Sequence, residues 1–173
     1  EVYLTASRDR LYGFRRMDFL DDFNIVEDVK TGWQAGLTGG AGFPRESAKP
    51  PYAVTGAFAQ FAQIFGADDD HVFATETSVS LHSGEDRGSG RTAWSNLITD
   101  AWAHWYWQGM PSQTLAASVN WFAGWRPYKP FQLVLGGQTG LRGYEAYRFA
   151  GTRRLLANVE DRIYTNWRVF TFA

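Results

Sequence analysis

The sequence predicts an all-β fold: an antiparallel meander of about eight strands forming part of a transmembrane β-barrel. Three observations lead there. Apolar residues recur with a period of two along runs longer than the strands of soluble sheets, which usually hold about 5–6 residues. Aromatic residues make up 17% of the chain and gather toward the ends of those runs. Mean hydropathy is nevertheless only −0.34, the balance expected of strands that are apolar outside and polar inside.

Taken in order, Val2–Phe14 reads as the first strand and Asp18–Asp28 as an acidic loop. Val29–Phe43 sets Val29, Thr31, Trp33, Ala35, Leu37, Gly39, Ala41 and Phe43 on one face. Its other face carries Lys30, Gly32, Gln34, Gly36, Thr38, Gly40 and Gly42. A strand tilted across a bilayer needs about 9–11 residues plus its extension into the loops, which this run supplies. Arg45–Pro51 breaks the pattern. Tyr52–Phe65 follows, long and aromatic with a less regular alternation, and Asp68-Asp69-Asp70 ends it. From His71 to Leu81, Phe73, Thr75, Thr77, Val79 and Leu81 oppose Glu76, Ser78, Ser80 and His82. A polar Gly84–Gly90 loop leads into Trp94–Trp107, and Gly109-Met110-Pro111-Ser112 makes a tight turn.

From Thr114 to Phe122, Leu115, Ala117, Val119 and Trp121 alternate with Thr114, Ala116, Ser118 and Asn120. From Leu155 to Tyr164, Leu155, Ala157, Val159 and Ile163 alternate with Leu156, Asn158, Glu160 and Arg162, and Asp161 interrupts the apolar side. Trp167–Ala173 reads as a strand stub. No helical period, repeat or domain boundary appears, so residues 1–173 are expected to form one partial barrel domain. Glu1 follows no leader and the last strand stops partway, so an interior piece of a longer protein is expected.

Several chemistries find no support. A net charge of −1 gives no electrostatic footprint for a nucleic-acid partner. The absence of cysteine excludes disulfide frameworks and thiolate metal sites. No apolar run reaches about 18 residues, so no transmembrane helix is expected. Gly137–Leu141 lacks the Lys-Ser or Lys-Thr of a phosphate loop, Gly36, Gly39, Gly40 and Gly42 precede no helix, and no G-x-S-x-G elbow exists. His104 and Asp100 share a strand face but stand about 13 Å apart at about 3.3 Å per residue. Asp68-Asp69-Asp70 and the Asp18, Asp21, Asp22, Glu27, Asp28 group read as solvated acidic turns. The chain is therefore expected not to be an enzyme and to need no metal or cofactor, although cross-strand pairing leaves a Ser–His–acid site open.

The most informative segment is Gly136-Gly137-Gln138-Thr139-Gly140-Leu141-Arg142-Gly143-Tyr144. Its glycines let the backbone bend sharply and pack closely. If this loop folds back into a barrel, Arg142 enters an interior that must supply a counter-charge, and Glu160 on the polar face of the next strand is the candidate. Gly136-Gly137 followed by Leu141-Arg142-Gly143-Tyr144 resembles the [V/L]-R-G-[F/Y] loop signature of the BamA/TamA superfamily of outer-membrane barrels. Gly151–Arg162 resembles the strand that follows in that family, with its Glu-x-Arg, and Glu27–Gly32 is similar to the entry of an earlier strand. The resemblance implies a signature loop over about 136–150, folded into the lumen of a barrel of about 16 strands, with Arg142 at its tip beside Gly143 and Tyr144.

The function implied is insertion or assembly of outer-membrane proteins, or translocation of proteins across the bacterial outer membrane. The partners implied are outer-membrane lipid, unfolded outer-membrane or secreted substrates, and periplasmic or lipoprotein accessory subunits. Two other readings stay open: a passive eight-stranded porin or adhesion barrel, and a soluble carbohydrate-binding sheet that uses its Trp residues.

Overall fold

The computed structural model describes residues 2–18, 26–43, 51–86, 91–127 and 132–164. Apart from one 3-10 turn at Gly137–Thr139, every regular element among them is a strand: β1 (Val2–Asp18), β2 (Val26–Gly42), β3 (Tyr52–Phe65), β4 (His71–Asp86), β5 (Arg91–Met110), β6 (Gln113–Trp125), β7 (Leu133–Leu135), β8 (Phe149–Gly151) and β9 (Arg153–Ile163). Seven of them form one antiparallel sheet in the order β1-β2-β3-β4-β5-β6-β9. Among the described residues this sheet stays open, with β1 and β9 at its edges. The fold is thus all-β and an antiparallel meander, as the period of two implied. β7 and β8 form a separate two-stranded ribbon that the sequence did not announce.

The strands run longer than their apolar cores. β1 reaches Asp18 and β2 begins at Val26, so the ends of the expected acidic loop are strand. Arg16 stands opposite Asp28, and their side chains pair at 3.5 Å. Gly84 likewise belongs to β4. Residues 45–50 and 87–90 and the Trp167–Ala173 stub lie outside the described residues.

Register sorts the side chains. Directly opposed residues share a face, and the ladders link even to even positions from β3 through β6 to β9, except beyond the bulge between Ser80 and His82, where Trp94 stands opposite Ser83 and so joins the odd face. The odd residues of Ala53–Phe61, Phe73–Leu81, Leu97–Ala103, Leu115–Ala123 and Leu155–Val159 are all Ala, Thr, Val, Leu, Phe or Trp. Not one is charged. The even face carries Glu76, Asp100, Arg154, Glu160 and Arg162. On β9 the consequence is visible residue by residue: Leu155, Val159 and Ile163 are 61%, 75% and 63% exposed, while the even-numbered residues between them are half-buried. Among the described residues no second protein layer covers the apolar stripe of this strand.

The small core sits on the even face near the short connections, where Val72, Tyr106 and Ala116 are buried and Met17, Val29 and Ile64 pack against them. Val29 corrects the sequence reading, which put it on the apolar face with Trp33. The alternation is interrupted at Gly32, where φ is +144°, opposite a bulge between Leu11 and Gly13. A Cβ on Gly32 would collide with the carbonyl of Arg10, so only glycine allows the two backbones to approach this way. Thr31 is buried there and donates to the Gly13 carbonyl at 3.1 Å.

Aromatic rings mark both ends of the uncharged face. Near the short turns, His71 stacks between Phe65 (5.0 Å) and Trp105 (5.7 Å), and Trp107 donates Nε1 to Asp70 at 3.0 Å. Toward the longer connections, the Arg126 guanidinium lies 4.8 Å from the centre of the Trp94 ring, and that of Arg153 lies 5.0 Å from Trp125.

Candidate functional site

Between β7 and β8 the chain leaves the sheet and returns, forming the loop that carries the sequence signature. Its neck is a ribbon of three pairs, Leu133↔Gly151, Val134↔Ala150 and Leu135↔Phe149. Above the neck the loop bonds to itself. Gly136 donates its N–H to Thr139 Oγ1 at 2.8 Å, and the N–H groups of Thr139 and Leu141 both reach the Gly136 carbonyl, at 3.0 and 3.1 Å. Gly137 N–H donates to the Glu145 carbonyl at 3.2 Å, and Tyr144 N–H to that of Leu141 at 3.3 Å.

Each glycine has a distinct task. A Cβ on Gly136 would strike the Glu145 carbonyl, and one on Gly137 would come within 2.5 Å of the Tyr144 carbonyl oxygen. The two legs of the loop therefore touch backbone to backbone only because both positions lack a side chain. Gly140 turns through φ +107° and sits against the side chain of Leu156, which seats the loop on the even face of β9. Gly143 adopts φ +87° in open space, a purely conformational requirement.

At the tip, Arg142 Nη2 donates to Glu160 Oε1 at 2.8 Å. The Arg142 side chain is 85% exposed and that of Glu160 28%. The second carboxylate oxygen is held by Arg162, through Nε and Nη2, both at 3.0 Å. One carboxylate thus lies between two guanidinium groups, so each oxygen accepts charge-assisted bonds. Arg162 in turn lies 5.9 Å from the Tyr106 ring centre. The Tyr106 hydroxyl and His104 Nδ1 are 3.3 Å apart, and His104 packs on Trp102 at 4.9 Å. The loop tip is connected in this way across β9 and β6 to β5. Leu141 is half-buried, and Tyr144 is exposed, with its ring 5.7 Å from Phe149.

The structure therefore brings the sequence-selected residues Gly136, Gly137, Leu141, Arg142, Gly143 and Tyr144 into one loop and joins Arg142 to Glu160. Sequence reasoning did not single out Arg162, Leu156 or Tyr106 as partners. Arg162 had a visible signal, since it lies two residues from Glu160 on one strand face. Tyr106 had none, because its approach depends on register: Glu160 stands opposite Ala116 and Ala116 opposite Tyr106, and the small Ala116 leaves the Tyr ring room.

His104 faces a phenol rather than a carboxylate, and Asp100 remains four residues away along β5. Among the described residues no group of three His, Asp or Glu is placed to hold a metal ion. The arrangement braces a loop against the wall of the sheet. No protein-family model, curated protein or solved structure matches this chain.

Proposed function

We propose that this chain is a wall segment of a bacterial outer-membrane β-barrel of BamA/TamA type, taking part in the insertion of outer-membrane proteins or the passage of proteins across that membrane. The observation that carries the reading is the loop tip: Arg142, flanked by Leu141 and Gly143-Tyr144, reaches back over the sheet to the polar face and binds Glu160. In the soluble-sheet reading such a loop has no reason to return. In a barrel it lies in the lumen and ties the loop to the wall.

The faces support the same reading. An uncharged odd face, largely exposed on β9 at Leu155 and Val159, fits lipid, and an even face holding the carboxylates and guanidiniums fits a watered interior. On β5, Trp94 and Trp105 bracket the uncharged stretch at 11 positions apart, close to the roughly 9–11 residues a tilted strand uses to cross a bilayer. The β3–β4 and β5–β6 turns hold five and two residues. At the other end β4–β5 holds four, but β2–β3 holds nine and the stretch from β6 to β9 holds 27. In outer-membrane barrels the end with the longer loops is extracellular and the other periplasmic. The chain is one part of a larger barrel domain in this reading. Its partners are lipid, unfolded substrate chains and accessory periplasmic or lipoprotein subunits, and it performs no bond chemistry.

The test is made in cells carrying the full-length protein. The chain should fractionate with the outer membrane and show heat-modifiable electrophoretic mobility, and Arg142→Ala should reduce the assembly or secretion of cargo. Recovery as a soluble protein without detergent would refute the membrane reading. Normal cargo handling by Arg142→Ala would favour a passive barrel instead.

A further inference from the structure

The outward aromatics near the short turns do not follow one row of the register. On β5 they are Trp105 and Trp107, and on β4 His71 and Phe73, with Trp105 opposite Phe73 and Trp107 opposite His71. On β3 they are Phe65 and Phe61, the latter four residues farther from the turn, and on β2 the belt reaches Trp33, opposite Phe61. It recedes from the turns as it moves from β5 to β2. A level boundary drawn across strands tilted about 35–45° makes this displacement.

Continued one strand further, the boundary falls on Arg10, opposite Trp33, and then on Arg8, opposite Ala35. Beyond them, away from the turns, the same face of β1 carries only Ala6, Leu4 and Val2. Arg8 and Arg10 are exposed, and among the described residues neither has a salt bridge or a side-chain hydrogen bond; Arg10 lies over the Tyr12 ring at 5.7 Å. The nearest carboxylate in sequence, Asp9, points to the opposite face.

We infer that Arg8 and Arg10, flanked by Trp33 and Tyr12, form a docking site for the phosphate of an anionic membrane lipid in the leaflet on the short-turn side. The inference rests on the barrel reading. Guanidinium groups bind phosphate oxygens in a two-pronged geometry, and two of them on alternate residues of one strand stand about 7 Å apart, near enough to share one headgroup. Indole and phenol rings beside them suit the glycerol level of the bilayer.

Native mass spectrometry of the full chain in detergent tests this, with phosphatidylglycerol and phosphatidylcholine supplied in equal amounts. The wild-type chain should retain phosphatidylglycerol in preference. Arg8→Gln with Arg10→Gln should lower that retention by about five-fold for each arginine removed, and the Arg8→Lys, Arg10→Lys pair, which keeps the charge but not the two-pronged geometry, should retain an amount between the wild type and the glutamine variant. Excess inorganic phosphate should leave the bound lipid in place. Equal retention of the two lipids by the wild type, or undiminished retention by a folded glutamine variant, overturns the site. Displacement by inorganic phosphate shows a free-anion site and overturns the lipid assignment. A chain that stays soluble without detergent removes the barrel reading itself and this site with it, an outcome distinct from folding in detergent without lipid preference.

Discussion

Glu160 is the residue on which the loop's electrostatics turn, and its two partners are not equivalent. Arg142 is largely in solvent and brings one bond; Arg162 is three-quarters buried and brings two contacts to the other oxygen. An exposed pair contributes about 0.2–1 kcal/mol, whereas removing the acceptor of a partly buried guanidinium costs about 1–3 kcal/mol. Glu160→Ala should therefore destabilise the protein more than Arg142→Ala, by roughly 2 kcal/mol against at most about 1. Urea titrations of the two variants measure this, and an equal or reversed order would contradict the three-residue arrangement. The Arg142–Glu160 bond was legible in the sequence because period-two alternation alone puts Glu160 on the polar face. The contribution of Tyr106 was not, since nothing local to Tyr106 says that β5 and β9 flank the same strand.

An element shows its own rules in the loop between β7 and β8. Gly137 is needed because two backbone segments touch, and Gly143 because φ is positive in open space. Alanine at Gly143 meets only the intrinsic penalty, about 1–2 kcal/mol, and should leave the loop docked. Alanine at Gly137 forces the legs apart and should release the tip. Limited proteolysis and hydrogen exchange separate the two: Gly137→Ala should expose 136–148 while the sheet stays protected, and Gly143→Ala should not. Similar exchange in both variants would mean that the legs do not depend on their close approach.

The same scale explains what sequence could and could not reveal. β2, β4, β6 and β9 were readable because an apolar-polar alternation recurs along strands of 11 to 17 residues, despite single interruptions at Gly32 and Asp161. β7 and β8 hold three residues each, too few to establish any period. Val29 was placed on the wrong face because one glycine with an unusual φ resets the alternation without changing composition, and Gly32 looks in sequence like the other small residues of its strand.

For the molecule as a whole, the governing feature is the segregation of charge between two faces of one sheet. A soluble protein with a bare face of Ala, Thr, Val, Leu, Phe and Trp across five strands would aggregate or acquire a cover; a lipid bilayer is such a cover. Two neighbouring positions separate these cases. Ala101 lies on the uncharged face between Trp94 and Trp105, seven residues from the first and four from the second, and Ser78 lies on the other face, opposite Asp100. An arginine facing the middle of a bilayer costs about 2–4 kcal/mol, while one opposite an aspartate across a strand pair gains up to about 1 kcal/mol. During folding into phosphatidylcholine vesicles, Ala101→Arg should lower the urea midpoint and the folded yield, and Ser78→Arg should leave both unchanged or raise them. In a water-facing sheet both arginines would be solvated, and the difference would shrink to the strand-pair effect alone. A matched response of the two variants in vesicles would thus mean that the odd face does not meet lipid.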